Sequence, residues 1–393
     1  MRIGIFHPRL NTCGGGEWVA INVINSLRQN GHKVIVLTDE LIDQNKFIRT
    51  FGQELQTDGE IVFPFHFFNR GAPYNVYTDM ISCLILRSKC AFVIDTYTRL
   101  VLPGVDVVYM HYPLFHNLGL PPKTFAKLRQ SIFLLPYRAY ENKIRKEQKQ
   151  VVFANSEFTS RAIERDLGLN SHLLYPPLSL FFLQNENKIF RFKRRDQVVT
   201  VSRFAPEKNL KIIPHIAKKL EKVRFIVVGN LNYESTYSAL SESIKKLGVQ
   251  KRVFLMANVP KTKLRKILLE SKIYLHCAEN EHFGISVIEA MASGCLPIVH
   301  DSGGPREFVP ETLRYTSIDQ ATKRIENALQ FWSQECVQNM HKKAMKFNQK
   351  EFSRRFLRVL SHRGLIKSPS NMYRTPLNER ELSKEEKIKK WFS

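Results

Sequence analysis

Residues 2–38, RIGIFHPRLNTCGGGEWVAINVINSLRQNGHKVIVLT, change period twice. RIGIFH (2–7) is a short apolar run of strand character. NTCGGGE (11–17) is a glycine-rich turn. Val19, Val23 and Leu27 then recur at helical spacing, and after Gly31 the run KVIVLT (33–38) returns to strand character. Strand, turn, helix and strand in this order make a βαβ unit, the opening of an α/β domain. Further apolar runs at IVFPF (61–65), CAFVIDT (90–96), VDVVYMH (105–111) and VVFANS (151–156) extend it into a mostly parallel sheet. At 184–197, QNENKIFRFKRRDQ, the composition turns polar and strongly basic, which reads as a linker. The rhythm then restarts with QVVTVS (197–202), RFIVVGN (224–230), RVFLMAN (252–258), KIYLHCA (272–278) and CLPIVHD (295–301). The sequence therefore predicts an α/β protein of two Rossmann-like domains, 1–185 and 196–345. A C-terminal helix is expected over 346–365, packing back on the first domain, and a basic tail over 366–393.

The length of 393 residues suits two cores rather than one. A hydrophobic content of 43% without a long uninterrupted apolar run points to a folded soluble protein with no membrane span. MRIGIFHPRL enters a strand directly and lacks the apolar region and cleavage site of a signal peptide. The six cysteines are scattered, without C-x-x-C or a histidine cluster, and fit neither a disulfide framework nor structural zinc. A reducing, cytoplasmic setting is expected. The net charge of +24 implies an anionic partner: nucleic acid, a phosphate-bearing substrate or an acidic membrane.

Several pieces carry chemistry. Gly14, Gly15 and Gly16 sit between strand and helix, where backbone N–H groups approach an anion or a sugar hydroxyl without side chains in the way. A tight turn with no ligand is the other reading. No Gly-Lys-Ser/Thr follows, and Val19 stands where a dinucleotide fingerprint needs its third glycine. Arg203 and Lys208 follow the first strand of the second domain, at the carboxyl end where such sheets bind ligands. They read either as a pyrophosphate grip or as solvated charges. DSGGPRE (301–307) offers a second anion site after a strand. In ENEHFGISVIEAMASG (279–294), Ser286 and Glu289 have the spacing of a capping box, whereas Glu281 lies in the preceding loop and needs another explanation. His111 ends the strand VDVVYMH, as either a structural or a ligand-facing residue. His7 ends the first strand, turned inward or toward an acceptor.

These residues together resemble the retaining nucleotide-sugar glycosyltransferases of GT-B architecture, family four, and among them most closely the mannosyltransferases that extend lipid-linked oligosaccharides. The resemblance covers roughly residues 1–360. It rests on GGGE (14–17), HYP (111–113), ANSEFT (154–159), YPP (175–177), Arg203 with Lys208, EHFGISVIEAMASG (281–294) and DSGGPREFV (301–309). It implies two Rossmann-like domains facing each other across a cleft and closing over a nucleotide sugar. Arg203 and Lys208 would grip the donor diphosphate and stabilise the leaving group. Glu289 would hold the ribose, while Glu281 would sit by the donor sugar with Phe283 and Gly284 offering backbone contacts. Gly15 and Gly16 would line the donor, and His111 would contact the sugar or acceptor near the reacting centre. The resemblance implies no catalytic metal and no cofactor, and the chain has no D-x-D triplet. The donor expected is GDP-mannose, with UDP-glucose and UDP-N-acetylglucosamine as alternatives. The acceptor is an isoprenoid-linked or other glycan.

The stretch 123–149, KTFAKLRQSIFLLPYRAYENKIRKEQK, sets eight Lys and Arg against two Glu among aromatic and aliphatic residues. It suits either peripheral contact with an anionic membrane, here its cytoplasmic face, or an ordinary solvated helix face. A basic nucleic-acid-binding protein is the competing class. It leaves the two glutamates and the Arg203–Lys208 pair unexplained, so no specific nucleic acid is expected.

Overall fold

The computed structural model describes residues 1–63, 75–113, 132–183, 189 and 192–367. Most of the C-terminal tail, part of the basic stretch 184–197, and residues 123–131 of the cationic segment lie outside these. The chain forms two compact units, the first made of Met1–Pro177 together with the segment that starts at Gln349, the second of Leu178–Asn348.

The strands of the first unit are β1 (Arg2–Phe6), β2 (Lys33–Thr38), β3 (Gly59–Val62), β4 (Phe92–Asp95), β5 (Val107–Met110), β6 (Val151–Ala154) and β7 (His172–Leu173). They form one parallel sheet in the order β3-β2-β1-β4-β5-β6-β7. Its helices include α1 (Gly15–Gln29), α2 (Gln44–Phe51), α3 (Val76–Lys89), α4 (Leu135–Glu147) and α5 (Glu157–Leu167). Both faces of a parallel sheet are buried, and the strand residues divide between them with period two. Ile3, Ile5, Val34, Val36, Ile94, Tyr109 and Phe153 join one apolar cluster with Trp18 and Leu27 of α1. Phe6, Leu37, Val93, Val108 and Val152 point the other way, onto Cys83 and Leu86 of α3 and Tyr137 of α4. The first cluster is completed by Phe352, Phe356, Leu357 and Leu360. These belong to a helix at the far end of the chain, Gln349–His362, whose Ser353 hydroxyl meets that of Ser26 at 2.6 Å.

In the second unit, β8 (Arg195–Val201), β9 (Arg224–Gly229), β10 (Val253–Ala257), β11 (Ser271–His276), β12 (Leu296–His300) and β13 (Arg314–Tyr315) pair in parallel in the order β10-β9-β8-β11-β12-β13. Five of its helices are α6 (Ile212–Lys219), α7 (Glu234–Lys246), α8 (Lys261–Glu270), α9 (Ile285–Ala292) and α10 (Ile318–Gln330). Ile189, Arg194 and Gln197 of the basic stretch belong to this unit's interior, whereas Lys193, Arg195 and Asp196 are exposed. Ile189 packs with Leu269 and Val337. Arg194, 8% exposed, donates to the carbonyls of Leu268 (3.3 Å), Ser271 (2.8 Å) and Ser293 (2.6 Å) at the ends of α8 and α9. The units divide at Pro177, ahead of the stretch whose composition suggested a linker, and Ile189 and Arg194 of that stretch have buried partners in the second unit.

Candidate functional site

Each sheet reverses strand order once, between β1 and β4 in the first unit and between β8 and β11 in the second. Loops at the carboxyl ends of the strands flanking such a reversal are the usual ligand positions of open α/β sheets. In the second unit these loops carry Arg203, Lys208 and Glu281. Lys208 Nζ meets Glu281 Oε2 at 2.7 Å, and both side chains are less than one-fifth exposed. His276, the last residue of β11 and 4% exposed, places Nε2 3.3 Å from the same oxygen. Burial alone would raise the Glu281 carboxyl, yet His276 and Lys208 outweigh it and hold the group well below the usual carboxylate range. Arg203 is half exposed and pairs with Glu207 at 3.0 Å. The two cations named from sequence thus each face a carboxylate in the resting protein.

The Glu281 loop is braced by backbone. Gly304 N donates to Glu281 O at 2.7 Å, and Asn280 N donates to Ser302 Oγ at 2.7 Å. A Cβ on Gly303, whose φ is +73°, would lie 2.3 Å from Glu281 O. Only glycine allows that approach. The segment 301–307 supports its neighbour, and the N–H groups of Asp301, Ser302 and Gly304 donate to Tyr315, His300 and Glu281.

The capping box expected at Ser286 and Glu289 does not form. Gly284, at φ +94°, is the N-cap of α9, and the helix begins at Ile285 without a side-chain cap. That puts Glu289 beyond the first turn, out of reach of the N-terminal N–H groups. The Ser286 hydroxyl instead accepts from Tyr274 Oη at 2.8 Å. Burial pushes the Glu289 carboxyl up to about 7, with Lys261 opposing. Phe283 is 3% exposed and packs on Phe308 and Phe347, leaving only its backbone for a ligand.

In the first unit Gly14 caps α1, and Gly15 and Gly16 form its first turn. Glu17 reaches back to Gly14 N at 2.6 Å, one half of a capping box that glycine cannot complete. His7, 1% exposed, is turned inward: Nδ1 meets Thr96 Oγ1 at 2.8 Å and Nε2 meets Glu17 Oε1 at 3.3 Å. Burial opposes ionisation of Glu17, but the bond and charge of His7 hold it down at about 2. His111 follows β5 beside this turn; a Cβ on Gly16 would stand 3.4 Å from its Nε2, which lies 3.3 Å from Thr96 O. Burial, and then the nearness of His7, lower His111 to about 4, so it is a neutral imidazole at pH 7. Its carbonyl accepts from Asn155 Nδ2 at 3.0 Å and Thr159 Oγ1 at 3.3 Å, which is how the ANSEFT segment fixes it. The Ser156 hydroxyl caps α5 by accepting from Thr159 N.

Sequence reasoning missed His276, Tyr274 and Glu17. The signal for the first two was a pair of polar-tipped rings spaced for one strand face at the end of an apolar run; for Glu17 it was a carboxylate three residues after the helix-capping glycine. Among the described residues no three His, Cys, Asp or Glu side chains gather as a metal site.

Residues 182–350 match the family model described as glycosyl transferases group 1. The chain is 33% identical over 364 residues to the GDP-Man:Man(3)GlcNAc(2)-PP-Dol alpha-1,2-mannosyltransferase of Homo sapiens, covering 78% of this chain and 73% of that protein. It is 23% identical over 433 residues to the protein of the same name from Dictyostelium discoideum, covering 91% and 84%. Among solved structures it is similar to a glycosyltransferase from Rickettsia africae, with a TM-score of 0.68 at 15% identity over 93% of this chain and 99% of that one. That likeness shows the fold, which is GT-B.

Proposed function

The chain belongs to the group 1 glycosyl transferases, and from that premise we propose that it transfers mannose from GDP-mannose to a lipid-linked oligosaccharide, with retention at the anomeric carbon. The observation that carries this reading is the convergence of Lys208 and His276 on Glu281 at the carboxyl ends of β8 and β11. It provides a mobile cation for a diphosphate beside a carboxylate kept ionised. The donor sugar and nucleotide follow the names of the human and Dictyostelium relatives.

In this reading Arg203 and Lys208 take the diphosphate, Arg203 leaving its exposed pair with Glu207 and Lys208 leaving Glu281. Both stabilise charge that grows on the leaving phosphate, where fixed cations matter most. Glu289 binds the ribose hydroxyls. The backbone of Phe283 and Gly284 and the ionised Glu281 face the donor sugar. Gly15 and Gly16 admit the donor without side chains, and neutral His111 accepts or donates a hydrogen bond to a sugar hydroxyl. The anomeric C–O bond to phosphate breaks as the acceptor oxygen bonds to the anomeric carbon, and the departing phosphate oxygen takes the acceptor's proton. No step calls on a general base from the chain.

The acceptor's lipid implies contact with a membrane surface. Tyr77 of α3 packs edge-on against Phe133 at 4.9 Å, joining α3 to the segment that leads into α4. Ile81 and Leu84 of α3 and Ile132 and Leu135 on either side of Phe133 are each more than half exposed, and Lys143 and Lys146 of α4 are exposed. Apolar groups with cations alongside suit an anionic bilayer interface. Among the described residues no helix is long and apolar enough to cross a membrane.

The test is a donor screen with purified protein: GDP-mannose, UDP-glucose and UDP-N-acetylglucosamine, each offered with an isoprenoid-linked oligosaccharide. Transfer from GDP-mannose with an α-linked product is expected. Transfer from a UDP-sugar alone would overturn the donor assignment, and an inverted product would overturn retention.

A further inference from the structure

We propose that His276 is a positioning residue that keeps the Glu281 carboxylate aimed at the donor sugar when the donor's diphosphate draws Lys208 away. The inference rests on the roles given above to Glu281 and Lys208. Lys208 Nζ and His276 Nε2 converge on one oxygen, Glu281 Oε2, at 2.7 and 3.3 Å. In the resting protein the lysine makes the aligned bond. His276 Nε2 is sealed from solvent and, although near, lacks the alignment of a made hydrogen bond. A buried polar atom left in this state is costly unless another state uses it.

Donor binding supplies that state. An ammonium on a four-carbon stem follows the stronger anion, and a diphosphate is stronger than one carboxylate. Glu281 then loses its lysine partner while less than one-fifth exposed. An unpartnered buried carboxylate either protonates or swings away. A small turn toward Nε2 avoids both.

The imidazole is held for this from behind. Its Nδ1 faces Tyr274 Oη at 3.5 Å, and the two rings lie 6.2 Å apart at 19°. Tyr274 is itself bonded to Ser286 at the start of α9, and Tyr315 Oη donates to His276 O at 3.0 Å. Strand β13 thus anchors the His276 backbone, and the Tyr274 ring, tied to α9, packs beside the imidazole.

The experiment combines a kinetic cycle with a substrate-free measurement. Wild type, His276→Phe, Glu281→Gln and the double variant are compared for kcat and donor KM, with His276→Gln as the conservative variant. His276→Phe is expected to lower kcat at least about tenfold while KM changes less than about threefold. His276→Gln, which keeps an N–H donor, should recover part of the loss. In the Glu281→Gln background, His276→Phe should add less than about twofold, since the residue acts through Glu281. Full multiplicative losses, or an effect on KM alone, would overturn the proposal. Because a buried substitution can impair folding, the nitrogen-15 resonance of His276 Nε2 is also followed in the full chain with His276 intact. Lys208→Met should strengthen its bond to Glu281 and Glu281→Gln should weaken it, moving the resonance in opposite directions; a resonance indifferent to both overturns the proposal. That measurement needs no donor, so a chain that turned over no nucleotide sugar would sink the proposed activity while the His276 contact was judged on its own signal.

Discussion

Glu289 offers a test in which function and stability pull apart. Burial raises its carboxyl from an ordinary 4.5 to about 7, Lys261 opposing. If the ribose hydroxyls bind the ionised form, the free protein must supply that form. With half-ionisation near 7, the ionised fraction rises about tenfold between pH 6 and pH 8, so the apparent donor Kd should fall by about tenfold over the same range. Glu281 adds nothing to this trend, being held well below the range. The titration uses the intact nucleotide sugar, whose phosphates are diesters that stay singly charged here. Glu289→Gln should abolish the trend and bind like wild type at low pH or weaker. Stability moves the other way. A carboxyl raised on folding stabilises the folded state fully below about 4.5, and that contribution is lost as pH rises through about 7. The gap corresponds to up to about 3 kcal/mol, at about 1.4 kcal/mol per pH unit. Glutamine carries no such loss, so Glu289→Gln should match wild type near pH 4 and exceed it by up to about 3 kcal/mol at pH 8 in denaturant unfolding. A donor Kd that is flat from pH 6 to pH 8, or a pH trend that survives in the variant, would refute the reasoning.

Glu17 has the opposite sign: lowered to about 2 by His7 against burial, it stabilises above about 4.5 and loses that as pH falls through about 2. Glu17→Gln should therefore lower unfolding free energy at pH 7 by about 1–3 kcal/mol, with the difference from wild type closing below pH 3. Arg194→Met leaves the carbonyls of Leu268, Ser271 and Ser293 without their donor and should destabilise by about 1–3 kcal/mol in urea; no measurable loss would show that water replaces it. Replacing Ile81, Leu84, Ile132 and Leu135 by Ser should reduce flotation with anionic vesicles several-fold at unchanged melting temperature, and undiminished flotation would move the membrane surface elsewhere on the chain.

The α/β rhythm was legible because each buried strand is an apolar run between turn residues, and because period two and period 3.6 separate cleanly within residues 2–38. The edge strands β7 and β13 were not: two residues each give no period to read. The capping box failed for a local reason. Spacing alone puts Glu289 three after Ser286, but Gly284 at positive φ sets the helix start earlier, and backbone conformation is not written in side-chain spacing. In the basic stretch at 184–197 charge reads as exposure, which holds for Lys193 and Arg195 but not for Arg194, buried among carbonyls. His7 and Glu17 are ten apart in sequence yet joined through the βα turn, and His276 and Lys208 both reach Glu281 because β8 and β11 are neighbours. Contacts of that kind follow from strand order, which a sequence with no alignment leaves open.

The two glutamates of the 279–294 segment, with seven residues between them, lie in opposite electrostatic settings. Glu281 is less than one-fifth exposed and is kept ionised by a lysine and a histidine that meet on one of its oxygens. At Glu289 burial outweighs the opposing charge of Lys261, and the carboxyl rises to about 7. Groups whose surroundings push them apart in this way do different work. A carboxylate charged before the donor arrives can act on charge that develops at the sugar during departure from phosphate. A carboxyl that waits near neutrality can gain its charge from the hydrogen bonds the ribose supplies, so that its ionisation is part of recognition. On the proposed roles, the short helix α9 and the loop before it hold one group for the reacting carbon and one for the nucleotide. The backbone bonds from Asn280 to Ser302 and from Gly304 to Glu281, with Arg194 at the far end of α9, keep the spacing between them fixed.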